Sequence, residues 1–278
     1  MNEKLTVIIP CKNEAENIQE CINSALKIAD EVLVADSGSK DQTLDIVRSL
    51  GPYRIIEREY VNSGDFKNWA IPQASHPWVM ILDGDERIPD DMAQEIRERI
   101  SGNPKHDGYW VYRTNYFMGH RIRFSGWRND KVMRLFRRDQ GVYTGGTDHA
   151  EVTIRSGRIG ALKHRMLHFT YWNYDQYFNK FQRYTTYQAE KWEREGRRFS
   201  MAKMFFNMPM RFLHNYIFRL GFLDGVAGLQ VCLLTGFYSF MKQARLWQIQ
   251  EGKATSTVDR EMANRSQPAK TSVRRSAA

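Results

Sequence analysis

The chain has 278 residues, with 41 lysines and arginines against 32 aspartates and glutamates, 42% hydrophobic and 13% aromatic residues. That composition excludes a disordered or fibrous chain and supplies the core of one large domain, or of a domain with an appendage. Cys11, Cys21 and Cys232 are too few and too scattered for a disulfide framework or a zinc cluster, and Glu3 with a short apolar run predicts no cleavable export signal, so a reducing, cytosolic setting is expected.

In chain order, Leu5–Ile9 is a β-branched apolar run closed by Pro10 and predicts a strand buried on both faces. With Asn13 as cap, the spacing of Ile18, Cys21, Ile22, Ala25, Leu26 and Ile28 predicts a helix over about 15–28. Glu31–Ala35 predicts a second strand ending in the turn Asp36-Ser37-Gly38-Ser39, and Asp41–Leu50 a second helix. Tyr53–Glu57, Phe66–Ala74 and Trp78–Leu82 continue as strand, helix and strand, the last stopping at Asp83-Gly84-Asp85. Such alternation builds a parallel sheet whose ligands gather at the carboxyl ends of the strands.

Beyond residue 101 the segments shorten. Tyr109–Asn115 and Val132–Phe136, with turns at Gly141 and Gly145-Gly146, predict mixed, partly antiparallel strands that complete the sheet. Asn173 to about Glu195 and Met201 to about Gln250 read as helical, with breaks near Pro209 and Gly221. Ile217–Met241 is strongly apolar, yet Arg219 and Asp224 within it oppose a spanning helix and predict an interfacial or core hairpin. After Gly252 the chain is polar, basic and aperiodic, and reads as a disordered tail.

Charge divides along the chain. Residues 1–100 carry 11 basic and 19 acidic side chains, whereas residues 155–247 carry 15 and 5. The basic, aromatic carboxy-terminal half therefore invites an anionic partner, with membrane phosphates and nucleic acid as the two candidates.

Asp83-Gly84-Asp85 at the end of an apolar strand is the strongest chemical signal. Two carboxylates in that position can hold a hard cation that neutralises a diphosphate; the plain alternative is a solvated turn. Pro10 and Asp36 also end apolar strands, so Pro10, Asp36, Asp83 and Asp85 are expected to line one cleft.

Taken together, VIIPCKNEAENI, ADSGSKDQT and MILDGDE resemble the nucleotide-sugar-binding half of an inverting family 2 glycosyltransferase with the GT-A fold. DFKNWAIPQASHPWVMILDGDE, MRLFRR, LHFTYWNYDQYFNKFQRYT and RLGFLDGVAGLQVCLLTGFYSFMKQARLW are similar to the bacterial subgroup that builds lipopolysaccharide core or other envelope glycans. The resemblance implies an α/β fold, a Rossmann-like, mostly parallel sheet flanked by helices, with a helical carboxy-terminal extension that contacts the membrane. It divides the chain into a nucleotide-sugar-binding half at 1–100, an acceptor-binding, catalytic half at 101–170, helices at 171–250 and a basic tail at 251–278.

The same resemblance implies roles. Pro10 and Asp36 contact the nucleotide base, Glu14 the ribose, Asp83 the ribose and donor sugar, and Asp85, with Asp83, a divalent cation, Mn or Mg. Lys67 or Asn68 touches the donor, a UDP-sugar by default. For Asp36 the alternative is an Asx-turn with its Ser and Gly neighbours. An inverting transfer needs a carboxylate base, and Glu151 is preferred because its spacing to Gly157 resembles the subgroup; Asp148 stays open because His149 is separated from Glu151 by Ala150.

Arg134, Arg137 and Arg138 alternate with apolar residues, so Arg134 and Arg138 are candidates for donor phosphate, against the alternative of a basic edge strand. His168 and Lys180 are candidates for an acceptor phosphate. Trp172, Tyr174 and the aromatics after them read as sugar platforms or as core.

A lipid-linked or phosphorylated glycan acceptor at an anionic membrane surface accounts for the basic half, placing the protein in the cytoplasm, peripheral on the inner face of the cell membrane. A packed helical subdomain or an oligomer interface is the alternative for the apolar helices. A nucleotidyltransferase is the competing enzyme class, but CKNEAENI lacks the glycines of its phosphate loop. A non-catalytic membrane- or nucleic-acid-binding module is the other reading; the retained Asp83, Asp85 and carboxylate loop argue against it, and no nucleic-acid partner is expected.

Overall fold

The computed structural model describes residues 3–144 and 150–252. The elements run β1 (Leu5–Cys11), α1 (Ile18–Ala25), β2 (Glu31–Asp36), α2 (Thr43–Leu50), β3 (Arg54–Glu57), α3 (Ser63–Ala70), β4 (Trp78–Ile81), β5 (Glu86–Arg87) and α4 (Asp90–Ile100). They continue as β6 (Gly108–Phe117), β7 (His120–Ile122), β8 (Lys131–Arg137), β9 (Gly141–Thr144), β10 (Glu151–Ile154), β11 (Ile159–Tyr171), α5 (Tyr174–Arg194), α6 (Met201–Leu213) and α7 (Gly225–Gln250). The chain forms two compact units over its described residues, one of Met1–Tyr174 with Asn215–Val231, the other of Asp175–His214 with Cys232–Ala278.

The first unit is built on a mixed sheet of order β3-β2-β1-β4-β8-β6-β11-β5. β1 pairs in parallel with β2 and β4, and β2 with β3, as the alternation of apolar runs predicts. β8 inserts antiparallel between β4 and β6, and β11 runs parallel to β6. Both faces of the central strands are covered. Val7 and Ile9 of β1, Val32 and Val34 of β2 and Met80 of β4 pack under α1 and α4, while Ile8, Leu33, Val79 and Ile81 pack against α3 and the β9–β10 ribbon. A strand buried on both faces has no polar side to alternate, which is why these strands read as unbroken apolar runs.

One connection bends the sheet. Residues 82–85 carry the chain from β4 to β5, four strand spacings away in the order. Five peptide steps reach at most about 18 Å, whereas four flat spacings need about 19 Å, so the far strands must curl toward β4. Register shifts between β11 and β6, at Ala161/Arg165 and Phe169/Tyr171, supply the irregularities that accompany such curvature.

Glu95 on α4 holds β11 in place. Its buried carboxylate accepts the backbone N–H groups of Lys163 at 2.9 Å and His164 at 2.9 Å. Burial alone would raise its pKa, but these bonds, with Arg99, outweigh burial and hold it below the ordinary glutamate value. A depressed folded-state pKa contributes stability that is present above the unfolded value and lost as pH falls through the folded one. Glu95→Gln is therefore expected to cost about 1–3 kcal/mol at pH 7, with the gap to wild type narrowing below about pH 4; denaturant titrations at pH 7 and pH 3.5 check both, and a pH-independent gap would refute the linkage.

In the second unit α5 presents Phe181 to α7, where it stacks on Phe237 at 5.3 Å and meets Tyr238 edge-on at 5.8 Å. The break expected near Pro209 is corrected: α6 runs through Pro209 to Leu213. Proline removes one N–H from the ladder, but the helical path ends only later, where Leu220 (φ 56°) and Gly225 (φ 62°) turn left-handed. Of the two charges that opposed a spanning helix, Arg219 precedes the apolar stretch 221–250 and Asp224 lies within its first turn, ahead of α7. Gly221–Gln250 is long and apolar enough to cross a membrane by length and composition, and 28% of its apolar window is buried.

Candidate functional site

All the strand ends that carry chemistry meet at one edge. β1, β2 and β4 deliver Cys11, Asp36 and Asp83 there; antiparallel β8 begins there, β6 and β11 end there, and His168 lies opposite both Asn115 and Glu86. The turn Asp83-Gly84-Asp85 crosses this edge. Glu14 folds over it so closely that a Cβ on Gly84 would lie 2.8 Å from the Glu14 Cγ.

A chain of alternating charges links the two aspartates. Lys67 Nζ lies 3.0 Å from Asp83 Oδ1, and the Arg134 guanidinium binds the other Asp83 oxygen. Arg134 also donates to Glu86 at 2.8 Å, and Glu86 accepts the Asp83 N–H at 3.0 Å. Glu86, which is fully buried, meets Arg113 at 3.2 Å, and Arg113 grips Asp130 through two bonds of 2.9 Å. Asn115 donates to Asp130 at 3.0 Å and faces His168 Nδ1 with its Oδ1 at 2.7 Å; His168 Nε2 then stands 3.7 Å from Asp85 Oδ2.

Burial would raise the Asp83 pKa, but Arg134 and then Lys67 outweigh it and hold the carboxyl well below the usual range. Asp130 is also depressed: burial opposes ionisation, and the Arg113 fork overcomes it. Both remain ionised through the physiological range.

The fit to a divalent cation follows from the amide of Asn115. Its Nδ2 faces a carboxylate and the Trp127 carbonyl, both of which only accept, so its Oδ1 must face His168 and accept from a protonated Nδ1. His168 therefore turns Nε2 to the Asp85 carboxylate, 3.7 Å away. A carboxylate oxygen and an imidazole nitrogen so placed are two ligands that a divalent cation would accept, and an outer amide bound to the other ring nitrogen is a usual companion of a ligating imidazole. Among the described residues no group of three or more His, Cys, Asp and Glu forms a complete ligand set; Asp85 and His168 offer two ligands, and diphosphate oxygens can supply others.

The other expected residues fall at varied distances from this centre. Pro10 pairs with Ala35 at the end of β1. Asp36 is buried and closes its own loop, accepting from the N–H groups of Gly38 and Ser39 at 2.9 Å each and from Ser39 Oγ at 2.5 Å. That is the Asx-turn weighed from the sequence. Asn68 donates to the Tyr143 carbonyl at 2.9 Å and accepts its N–H at 2.8 Å, stapling α3 to β9. Arg134 is buried against carboxylates rather than offered to phosphate. Arg138 lies at the opposite end of β4 from Asp83, next to the Trp78↔Arg137 pair, with its guanidinium on the Ala74 carbonyl. It is not brought to the site, because β8 runs antiparallel to β4 and four residues carry the chain to the far edge. Glu151 is exposed on β10 opposite Thr144, and Asp148 lies outside the described residues.

The sequence reading missed Glu86, Arg113, Asn115 and Asp130. Arg113 and Asn115 did carry a signal, being two polar residues at i and i+2 on a strand face otherwise made of Tyr109, Val111 and Phe117. An aromatic stack flanks the centre: Tyr116 lies on Phe169 at 4.8 Å and Phe169 on Trp172 at 5.1 Å, with the Phe169 N–H bound to the Asp85 carbonyl at 2.8 Å.

Residues 6–166 match the model of Glycosyl transferase family 2. The lipopolysaccharide core biosynthesis glycosyltransferase LpsC of Rhizobium meliloti (strain 1021) is 29% identical over 261 residues, 92% of this chain and 96% of that protein. An uncharacterized glycosyltransferase of Rickettsia typhi is 27% identical over 259 residues, 89% of this chain and 88% of its own. Among solved structures, glucosyl-3-phosphoglycerate synthase from Mycobacterium tuberculosis aligns over 63% of this chain and 74% of its own, with TM-score 0.45 and 16% identity.

Proposed function

The chain belongs to glycosyl transferase family 2, and from that premise we propose that it moves a sugar, with inversion, from a UDP-sugar to a hydroxyl of a lipid-linked glycan such as a lipopolysaccharide core. The observation that carries this reading is the Asp83-Gly84-Asp85 turn laid across the converging strand ends, with Asp85 Oδ2 3.7 Å from His168 Nε2. Full-length relatedness to a lipopolysaccharide core glycosyltransferase supports the acceptor class.

In this reading Pro10 and the Asp36 loop wall the base, and Glu14 and Asp83 hold the ribose and donor sugar. Lys67 approaches the diphosphate from the Asp83 side. Asp85 and His168 hold a divalent cation, Mn or Mg, which supplies electrostatic stabilisation to the departing diphosphate when bound. Arg134 and Glu86 orient Asp83. The acceptor oxygen bonds to the anomeric carbon as the carbon–oxygen bond to the diphosphate breaks, and a carboxylate takes the acceptor proton. Glu151 is our base, with Asp148 the alternative; whichever of Glu151→Gln and Asp148→Asn abolishes turnover while sparing nucleotide binding identifies it.

Calorimetric titration of UDP and GDP, with and without Mn²⁺, tests the donor site. Metal-dependent binding of UDP in preference to GDP is expected; a folded protein that binds neither would refute the reading.

The acceptor class implies work at a membrane. Met201, Phe205, Phe206 and Met210 of α6 are more than 60% exposed, and Lys203 and Arg211 lie among them. Such a face suits the interfacial layer of an anionic membrane, and we place the protein on the cytoplasmic face as a peripheral enzyme. Co-sedimentation with anionic vesicles, reversed by high salt or alkaline carbonate, is expected. Release only by detergent would point instead to α7 as a spanning helix.

A further inference from the structure

The backbone of the aspartate turn is pinned in two ways. The Asp83 carbonyl accepts the Glu86 N–H at 2.8 Å and the Asp85 carbonyl accepts the Phe169 N–H at 2.8 Å, bonds between backbone groups that do not depend on side-chain identity. The Gly84 carbonyl between them accepts from a side chain, Arg87 Nη1, at 2.7 Å. Glycine gives its peptide more conformational freedom than any other residue, and the peptide that follows Gly84 carries Asp85. Arg87 therefore restrains the link of the turn that has the most freedom to rotate.

The same guanidinium reaches back to the start of α1. Nη1 also donates to the Glu86 carbonyl at 2.8 Å, and Nη2 donates to the Asn17 carbonyl at 2.8 Å and to Asn17 Oδ1 at 3.3 Å. Phe169 lies against the fork, with its ring centre 5.7 Å from the Arg87 Cζ. Asn17 is buried, and its amide has one orientation. Arg87 and the Trp172 indole, 2.8 Å from Oδ1, only donate, which leaves Nδ2 for the Glu14 carboxylate at 2.9 Å.

We propose that Arg87 is a positioning residue for both halves of the donor site, setting Asp85 for the cation through the Gly84 carbonyl and Glu14 for the ribose through Asn17. This rests on the transferase reading above, which assigns Asp85 and Glu14 those roles. The guanidinium is occupied by carbonyl and amide oxygens, so Arg87 acts through Gly84 and Asn17 rather than on the substrate. Its planar fork presents donors to the turn and to α1 at once, where a lysine ammonium on a flexible stem holds neither in a fixed geometry. Contact between the two halves makes the restraint count. A Cβ on Gly84 would sit 2.8 Å from the Glu14 Cγ, so a turn that shifts displaces Glu14 with it.

The test uses the full chain and two probes, Mn²⁺ in the presence of UDP, followed by electron paramagnetic resonance, and uridine without metal, followed by ligand-observed NMR. Uridine lacks the diphosphate and reads the Glu14 side by itself. Arg87→Met is expected to weaken Mn²⁺ binding about 10–100-fold, the range for groups that orient metal ligands, and uridine binding about threefold, as one hydrogen bond to the ribose is lost or misdirected. Arg87→Lys is expected to fall between Arg87→Met and wild type for Mn²⁺. Both affinities are measured well below the melting temperature of each variant, so a purely structural role would lower that temperature and leave them unchanged; that result overturns the proposal. Arg87→Lys indistinguishable from wild type for both probes also overturns it, and decides alone should Arg87→Met not fold. Wild-type protein that binds no Mn²⁺ with UDP overturns the transferase reading and this inference with it, whereas wild-type binding that Arg87→Met leaves intact overturns the inference only.

Discussion

Asp85→Asn is expected to lower kcat/KM for sugar transfer by about 10³, or about 4 kcal/mol of transition-state stabilisation, without destabilising the fold. The two halves of that expectation have one cause. In the wild type, Asp85 Oδ2 and His168 Nε2 face each other at 3.7 Å, where the proposed cation would lie. An asparagine keeps the size and hydrogen-bonding capacity of the side chain but removes the charge that would hold the cation. The variant should therefore melt close to the wild-type temperature when metal-free, and should lose the stabilisation expected of Mn²⁺ with UDP on the wild type. That stabilisation is about 2.7 kcal/mol at ligand a hundredfold above its Kd. Melting curves with and without Mn²⁺ and UDP, beside a UDP-release assay, check the pair. Transfer within about threefold of wild type would show that Asp85 holds no catalytic cation.

Arg134→Met is expected to damage the fold as well as the activity. Arg134 sits between Asp83 and Glu86, and Glu86 is fully buried. Removing the guanidinium leaves Glu86 with Arg113 as its remaining cationic partner and Asp83 with Lys67. Breaking a buried pair from one side costs about 3–5 kcal/mol, which for a unit of this size lowers the melting temperature by about 10 °C. Arg134→Lys should recover part of the stability, since a lysine restores the charge but not the fork that spans two carboxylates. Arg138→Met is the control from the same MRLFRR stretch: its guanidinium meets a carbonyl at the far end of β4, so a cost of about 1 kcal/mol and unchanged transfer are expected. Equal effects of the two substitutions would mean that Arg134 does not organise the aspartate turn.

That contrast shows what period and direction each convey. The alternation in MRLFRR says which side chains share a face of β8, but not which end of the neighbouring strand each one meets. Arg134 and Arg138 are equivalent by period and are separated only by the antiparallel register, Trp78↔Arg137 and Met80↔Leu135. Asn68 is a similar case. Its place beside Lys67 suggests the donor, yet its amide is taken up by Tyr143, 75 residues away.

By itself the sequence determined the parallel core, the helices that cover it, the strand-end position of Asp36, Asp83 and Asp85, and the family. These rest on local quantities, namely apolar runs, helical spacing and motifs read within one segment. Tertiary structure alone decided that Glu86, Arg113, Asp130, Asn115 and His168 join Asp83 to Asp85, and that His168 turns Nε2 to the Asp85 carboxylate. Those contacts bridge 27, 48 and 53 residues of chain and depend on strand order, register and the curl of the sheet. A one-residue change of register would turn every one of these side chains to the other face, and no periodicity within a single segment records which register is chosen.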